Sequence, residues 1–218
     1  MIEIRSGRAI ASIAPESCGA VTRFGWERPG GAIEWLRPAS RDAIESAFPQ
    51  GMSCFPLVPF SNRIRNGRFS FRGREITLPP NFPPEPHAIH GQGWRSSWNV
   101  VDHGETAAVI EYAHEPDDWP YRYRAQQTFR VTPTGLALEM LVKNEGDDAM
   151  PLGFGFHLYF VRTSGSRLRT FAEKMWEPDE NAMPSRLVDP PNLDPLDPNA
   201  IELDDNFIGW SGQATIEW

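Results

Sequence analysis

An all-β fold, a large antiparallel sandwich or barrel, is what this sequence predicts, and three observations carry that expectation. Twenty-one Pro and 18 Gly are scattered along all 218 residues, which leaves little room for long helices. Several segments alternate apolar and polar side chains with a period of two, the pattern of a strand with one buried face. Turn signals separate those segments at short intervals, as in sheets built of many short strands. A chain of this length can bury a sizeable core within one domain, so a single domain over residues 1–218 is expected.

The elements follow in order. Residues 1–15 carry Glu3, Arg5 and Arg8 among apolar neighbours, so they hold no uninterrupted apolar run for a signal peptide or a bilayer span. Phe69 and Phe71 alternate with Arg68, Ser70 and Arg72, and a turn at Gly73 leads on to Ile76 and Leu78. Shorter strands are expected at 99–102 and 109–112. Tyr123, Ala125, Gln127, Phe129 and Val131 share one face of a longer strand, with Arg122, Arg124, Gln126 and Thr128 on the other. After a turn at 133–135, Leu136, Leu138 and Met140 alternate with Ala137, Glu139 and Leu141, so 123–141 reads as an antiparallel hairpin. Residues 178–198 are rich in Pro, Asp and Asn and should form a long surface loop. The last ten residues read as the beginning of a strand.

Composition narrows the function. Hydrophobic residues make up 40% and charged residues 23%, a soluble globular composition. A net charge of −8 argues against nucleic acid, whose phosphates need a clustered basic face, and against an anionic membrane surface. Cys18 and Cys54 show no CxxC and no metal-ligand spacing, which fits a reducing cytoplasm. His87 and His90 have an HxxH spacing. With no Cys nearby and no third ligand placed by sequence, no metal site is expected.

Three segments hold the candidate chemistry. His90 opens His-Gly-Gln-Gly-Trp, where two glycines permit a tight turn or a close approach to a ligand. His157 lies in Leu-Gly-Phe-Gly-Phe-His-Leu-Tyr-Phe, either as a packed core residue or as a positioned acid–base group. Asn62 and Arg63 precede the Gly67 turn that opens a strand, either as a solvated loop or as site residues.

Together these segments resemble the aldose 1-epimerase (galactose mutarotase-like) family. The matches are Asn62-Arg63-Ile64, Gly67-Arg68-Phe69, His90-Gly91 with Trp94, Gly155-Phe156-His157-Leu158-Tyr159-Phe160, and Asp204-Asp205-Asn206-Phe207, in the family's order. The resemblance runs from about Arg37 to the C-terminus. It implies the galactose mutarotase-like supersandwich, incomplete at the C-terminus, and an isomerase that exchanges the α and β anomers of a free hexose. Changing the anomer requires opening the pyranose ring: one group takes the C1 hydroxyl proton while another protonates the ring oxygen. Each positioned acid or base is worth about 10²–10⁴-fold.

The resemblance assigns the acid to His157, with His90 hydrogen-bonding near the ring oxygen. Arg63 would serve a sugar hydroxyl or the developing oxyanion, Asn62 a supporting role, Asp204 two adjacent hydroxyls and Trp94 an apolar wall. The implied partner is a small sugar, galactose, glucose or a related aldose, taken by a monomer or homodimer without cofactor. Two departures stand out. The family's Pro after the second histidine is Leu158 here, and its catalytic Glu lies in a strand beyond the Asp-x-x-Phe motif, which places it past Trp218. Rival expectations are a non-catalytic sugar-binding protein on the same fold and a hexose-6-phosphate 1-epimerase. The second would need cations such as Arg63, Arg65, Arg68, Arg72, Arg74 and Arg95 around the phosphate. A cupin-like metal barrel is the most distant alternative.

Overall fold

Ile2 and Ile4 alternate with Glu3 and Arg5, and the structure uses that alternation as a strand. It is a computed structural model that describes residues 1–201 and 203–218. β1 (Ile2–Ser6) pairs antiparallel with β2 (Ala9–Ala14), joining Ile2 to Ile13 and Ser6 to Ala9. β3 (Ala20–Arg28) lies along the other side of β2. Its far edge is shared by β4 (Gly31–Glu34) and, at Val21, by β5 (Cys54–Leu57). Between β4 and β5 a single-turn helix, α1 (Arg41–Glu45), starts at Ser40, whose hydroxyl accepts the Ala43 N–H as an N-cap.

β6 (Arg63–Ile64) precedes a hairpin of β7 (Arg68–Phe71) and β8 (Arg74–Thr77), then pairs with β9 (Ala88–Ile89). β10 (Asn99–His103), β11 (Ala107–His114), β12 (Tyr123–Thr132) and β13 (Gly135–Asn144) form a four-stranded antiparallel sheet in that order. β14 (Gly155–Leu158) returns to the first sheet and pairs antiparallel with β5.

Side-chain alternation decides how the two sheets meet. Tyr123, Ala125, Gln127, Phe129 and Val131 are all buried, and the four apolar ones share one core with Ile2, Ile4, Ala11 and Ile13 of the first sheet. Two antiparallel sheets packed face to face through such a layer are a sandwich, the all-β architecture expected. Gln127 is the polar member of that face. Its Nε2 donates to the Gly19 carbonyl at 3.1 Å, so its burial leaves no donor stranded.

β5 is buried on both faces. Cys54 and Val58 belong to the core between the sheets, whereas Phe55 and Leu57 point the opposite way. There they pack with Cys18, Ala20, Met52, Ile89 and Trp94 in a second, smaller core. Both cysteines are free and buried, and burial pushes their thiols up to about 11 at Cys18 and about 12 at Cys54.

Residues 1–161 form one compact unit and residues 162–218 another. In the second unit β15 (Arg167–Thr170) belongs to a two-stranded ladder, and β16 (Lys174–Pro178) is flanked by β17 (Pro184–Val188) and β18 (Asn206–Ile208). β19 (Ala214–Glu217) is the partner of β15. β17 corrects the long loop expected over 178–198. Its side chains are mostly exposed, so no burial pattern marks it, yet its backbone pairs Val188 with Met175 and Arg186 with Glu177. Pro184 sits at its first position, where a missing N–H is tolerated. Among the described residues no helix is long and apolar enough to cross a membrane.

Candidate functional site

The outer face of β5 and β14 is an aromatic floor. The two strands pair Phe55 with His157, and their rings stack at 4.8 Å and 17°. Tyr159, two residues on and therefore on the same face, lies 4.8 Å from the His157 ring. The Arg37 guanidinium covers Tyr159 at 4.1 Å and is itself fixed by donating to the Gln50 and Met52 carbonyls. Leu158 is in register with Cys54 and points away from this face, 41% exposed. Replacing the family's Pro with Leu158 therefore leaves the imidazole on the floor.

His90 approaches from the turn after β9. It has φ of +60°, as does Asn62, so two non-glycine residues hold left-handed backbone side by side. They are locked reciprocally: the His90 N–H donates to the Asn62 carbonyl at 3.0 Å, and the Asn62 N–H donates to His90 Nδ1 at 3.0 Å. Because Nδ1 accepts, the neutral ring carries its hydrogen on Nε2. Burial pushes the His90 pKa down to about 3, helped by the charges of His157 and Arg63, so this imidazole stays neutral near pH 7. Its centroid lies 6.1 Å from that of His157.

Asn81 clamps the same turn. Its Nδ2 donates to the Ile89 and Gly91 carbonyls at 2.7 and 3.0 Å, and its Oδ1 accepts the Ile89 N–H at 2.8 Å. Trp94, 1% exposed, stands edge-on to the His90 ring at 5.1 Å and donates from Nε1 to the Gly91 carbonyl.

Arg63 is placed next to His90 by the β6–β9 ladder, which pairs it with Ile89. Its Nε donates to Glu85 Oε2 at 2.8 Å, and the two side chains are only 21% and 14% exposed. Asn62 Oδ1 accepts the Arg63 N–H at 2.7 Å. His90 and His157 thus gather over Phe55 in the first unit, with Asn62 hydrogen-bonded to His90 and Arg63 beside it on the β6–β9 ladder. Asp204 lies in the second unit, exposed, beside Asp205, whose carboxyl is raised by burial and by the charges of Asp204 and Glu177. His87 is buried and accepts the Asn66 N–H at Nδ1, 3.1 Å away, which occupies one of its two nitrogens in holding the loop.

Sequence reasoning did not single out Phe55, Asn81, Glu85 or Arg37 as site-forming. Glu85 had a faint signal, as a lone carboxylate within Pro83-Pro84-Glu85-Pro86 just ahead of the histidines. Of the arginines considered for a phosphate, Arg72 and Arg74 lie over the Phe71 and Tyr121 rings, each at 5.9 Å, and Arg95 donates to the Asn81 carbonyl.

Comparison with known proteins adds the family evidence. The family model described as aldose 1-epimerase matches residues 2–218. The uncharacterized YphB protein of Escherichia coli K12 is 34% identical over 197 residues, 86% of this chain and 67% of its own length. A crystal structure from the same organism, named as a candidate aldose 1-epimerase, superposes with a TM-score of 0.85 at 30% identity. It covers 99% of this chain and 72% of the other. A galactose mutarotase-like protein from Clostridium acetobutylicum, 22% identical with a TM-score of 0.75 over 87% of this chain and 61% of its own, shares the fold. The chain spans 47% of a further E. coli relative, YihR, at 31% identity over 66% of this chain.

Proposed function

This chain belongs to the aldose 1-epimerase family, and on that premise we propose that the floor around His90 and His157 binds a free aldose and opens its ring to exchange anomers. The observation that carries the proposal is the pair of imidazoles, 6.1 Å apart on one aromatic floor, with one of them held neutral. Two close imidazoles resist being protonated together. His90 has Nδ1 committed to a backbone donor, so it serves as an Nε2–H hydrogen-bond donor to the sugar. That leaves His157 to deliver a proton to the ring oxygen as the C1–O bond opens. Arg63 orients a hydroxyl, Asn62 fixes the His90 tautomer, and Trp94 packs edge-on against the His90 ring.

Holding the sugar in one geometry supplies the entropic part of the acceleration. The C1 hydroxyl proton needs a base, a role that the family gives to a glutamate following the Asp-x-x-Phe motif. Asp204 is proposed to bind adjacent hydroxyls. The free, buried cysteines support a reducing cytoplasm as its place of work.

A second reading is sugar binding without turnover, for the paired Arg63 and the neutral His90 can hold a sugar without moving a proton. Polarimetry of freshly dissolved α-galactose and α-glucose decides between the two. Mutarotation above the buffer rate supports catalysis, and His157→Asn is then expected to lower it by at least about 10²-fold with the fold retained. Saturable sugar binding with only the buffer rate supports the second reading. Full activity in His157→Asn would falsify the acid assignment.

A further inference from the structure

Arg63 is the guanidinium that the β6–β9 ladder brings to His90, and its charge is answered by Glu85 at 2.8 Å. We propose that Glu85 is a specificity-determining residue, the group that makes the site choose an uncharged aldose over a phosphorylated one. This rests on the sugar-binding reading given above and assigns it a substrate class.

Glu85 is held by its own loop, independently of Arg63. Its Oε1 accepts the His87 N–H at 3.3 Å, its N–H donates to the Phe82 carbonyl at 2.8 Å, and Pro83, Pro84 and Pro86 stiffen the segment. The carboxylate therefore cannot swing aside cheaply when a ligand arrives. With both partners mostly withdrawn from water, the pair is weakly screened and acts as a near-neutral dipole rather than as a free cation.

Phosphate sites work in the opposite way, with several guanidinium or ammonium groups offering donors to the anion. Here two nearby cations are engaged elsewhere: Arg37 lies over Tyr159 and donates to the Gln50 and Met52 carbonyls, and Arg95 donates to the Asn81 carbonyl. A phosphate reaching for Arg63 meets a fixed negative charge, whereas a hydroxyl, donor and acceptor at once, suits a guanidinium beside a carboxylate.

The test is equilibrium binding, by titration calorimetry or tryptophan fluorescence, of glucose, galactose and glucose 6-phosphate to the full chain and to Glu85→Gln. Gln keeps an acceptor for Arg63 Nε and removes only the charge. The wild type should favour the unphosphorylated sugar by about tenfold or more, and Glu85→Gln should move that ratio toward the phosphate by about tenfold. The shift should shrink as salt is raised. A wild type that binds glucose 6-phosphate as well as glucose overturns the inference, and so does a Gln variant with the wild-type ratio. Should Glu85→Gln fail to fold by circular dichroism, the wild-type ratio decides, together with Glu85→Asp, which keeps the charge and must keep the preference. A wild type that binds none of the three sugars sinks the sugar-binding reading itself, and the inference with it.

Discussion

At His90 one backbone N–H sets the chemistry of a ring. The Asn62 amide takes Nδ1, burial and the charges of His157 and Arg63 hold the pKa near 3, and the imidazole is left as a neutral donor. The same shift links site to stability. An unfolded chain protonates this histidine near its ordinary value of 6.5, and the folded chain does not until about 3. The unfolded state therefore binds more protons between those values, so the contribution is fully present above pH 6.5 and is lost as pH falls toward 3. At ~1.4 kcal/mol per pH unit, roughly 2 kcal/mol should disappear between pH 6.5 and 4.5. His90→Asn keeps an acceptor for Asn62 and tolerates the left-handed backbone, but cannot titrate. Urea unfolding across that range should show a shallower pH slope in the variant, and an unchanged slope would show that another group carries it. The roles of such residues were only half legible in the sequence. His90 and His157 stood out by their glycine-rich or apolar surroundings, whereas Asn81 and Glu85 act through backbone atoms and through Arg63, and no spacing rule announces that.

Among the elements, the turn after β9 is the most sensitive. Gly91 has φ of +73°, and a Cβ there would overlap the Val58 carbonyl and the Pro59 ring. Gly91→Ala should cost at least about 2 kcal/mol in denaturant unfolding, because strain and overlap add, and should weaken sugar binding by displacing His90. Normal affinity in a folded Gly91→Ala protein would show that the turn does not position the ring. Elements with a buried face were readable: the alternation over 123–131 became β12 with the expected residues inside, and 69–78 became the β7–β8 hairpin. Elements without such a face were not. β17 is mostly exposed along its length, and β6 and β9 are two residues each, too short for any period to show. Their existence depends on a partner strand supplied from elsewhere in the chain.

At the scale of the molecule, stability rests on the layer between the two sheets of the first unit. Phe129 is 1% exposed on β12, between Ala108 and Leu138 on the neighbouring strands, and Phe129→Ala should cost about 3–5 kcal/mol by thermal or denaturant unfolding. Leu141, 63% exposed on β13, is the control, and Leu141→Ala should stay within about 0.5 kcal/mol. Equal losses at the two positions would contradict the assignment of inside and outside. By itself, the sequence determined the all-β class, the inward face of the long hairpin and the motif residues, because period-two alternation and glycine placement are local consequences of strand and turn geometry. Its periodicity left sandwich and barrel open and only the resemblance of its motifs implied the sandwich, while nothing in it spoke of the floor beneath the histidines. The tertiary structure decided that floor. Pairing Phe55 with His157, seating Asn62 against His90 and setting Glu85 on Arg63 are meetings of residues twenty to a hundred positions apart, and their distances follow from how strands register and sheets pack rather than from any local preference.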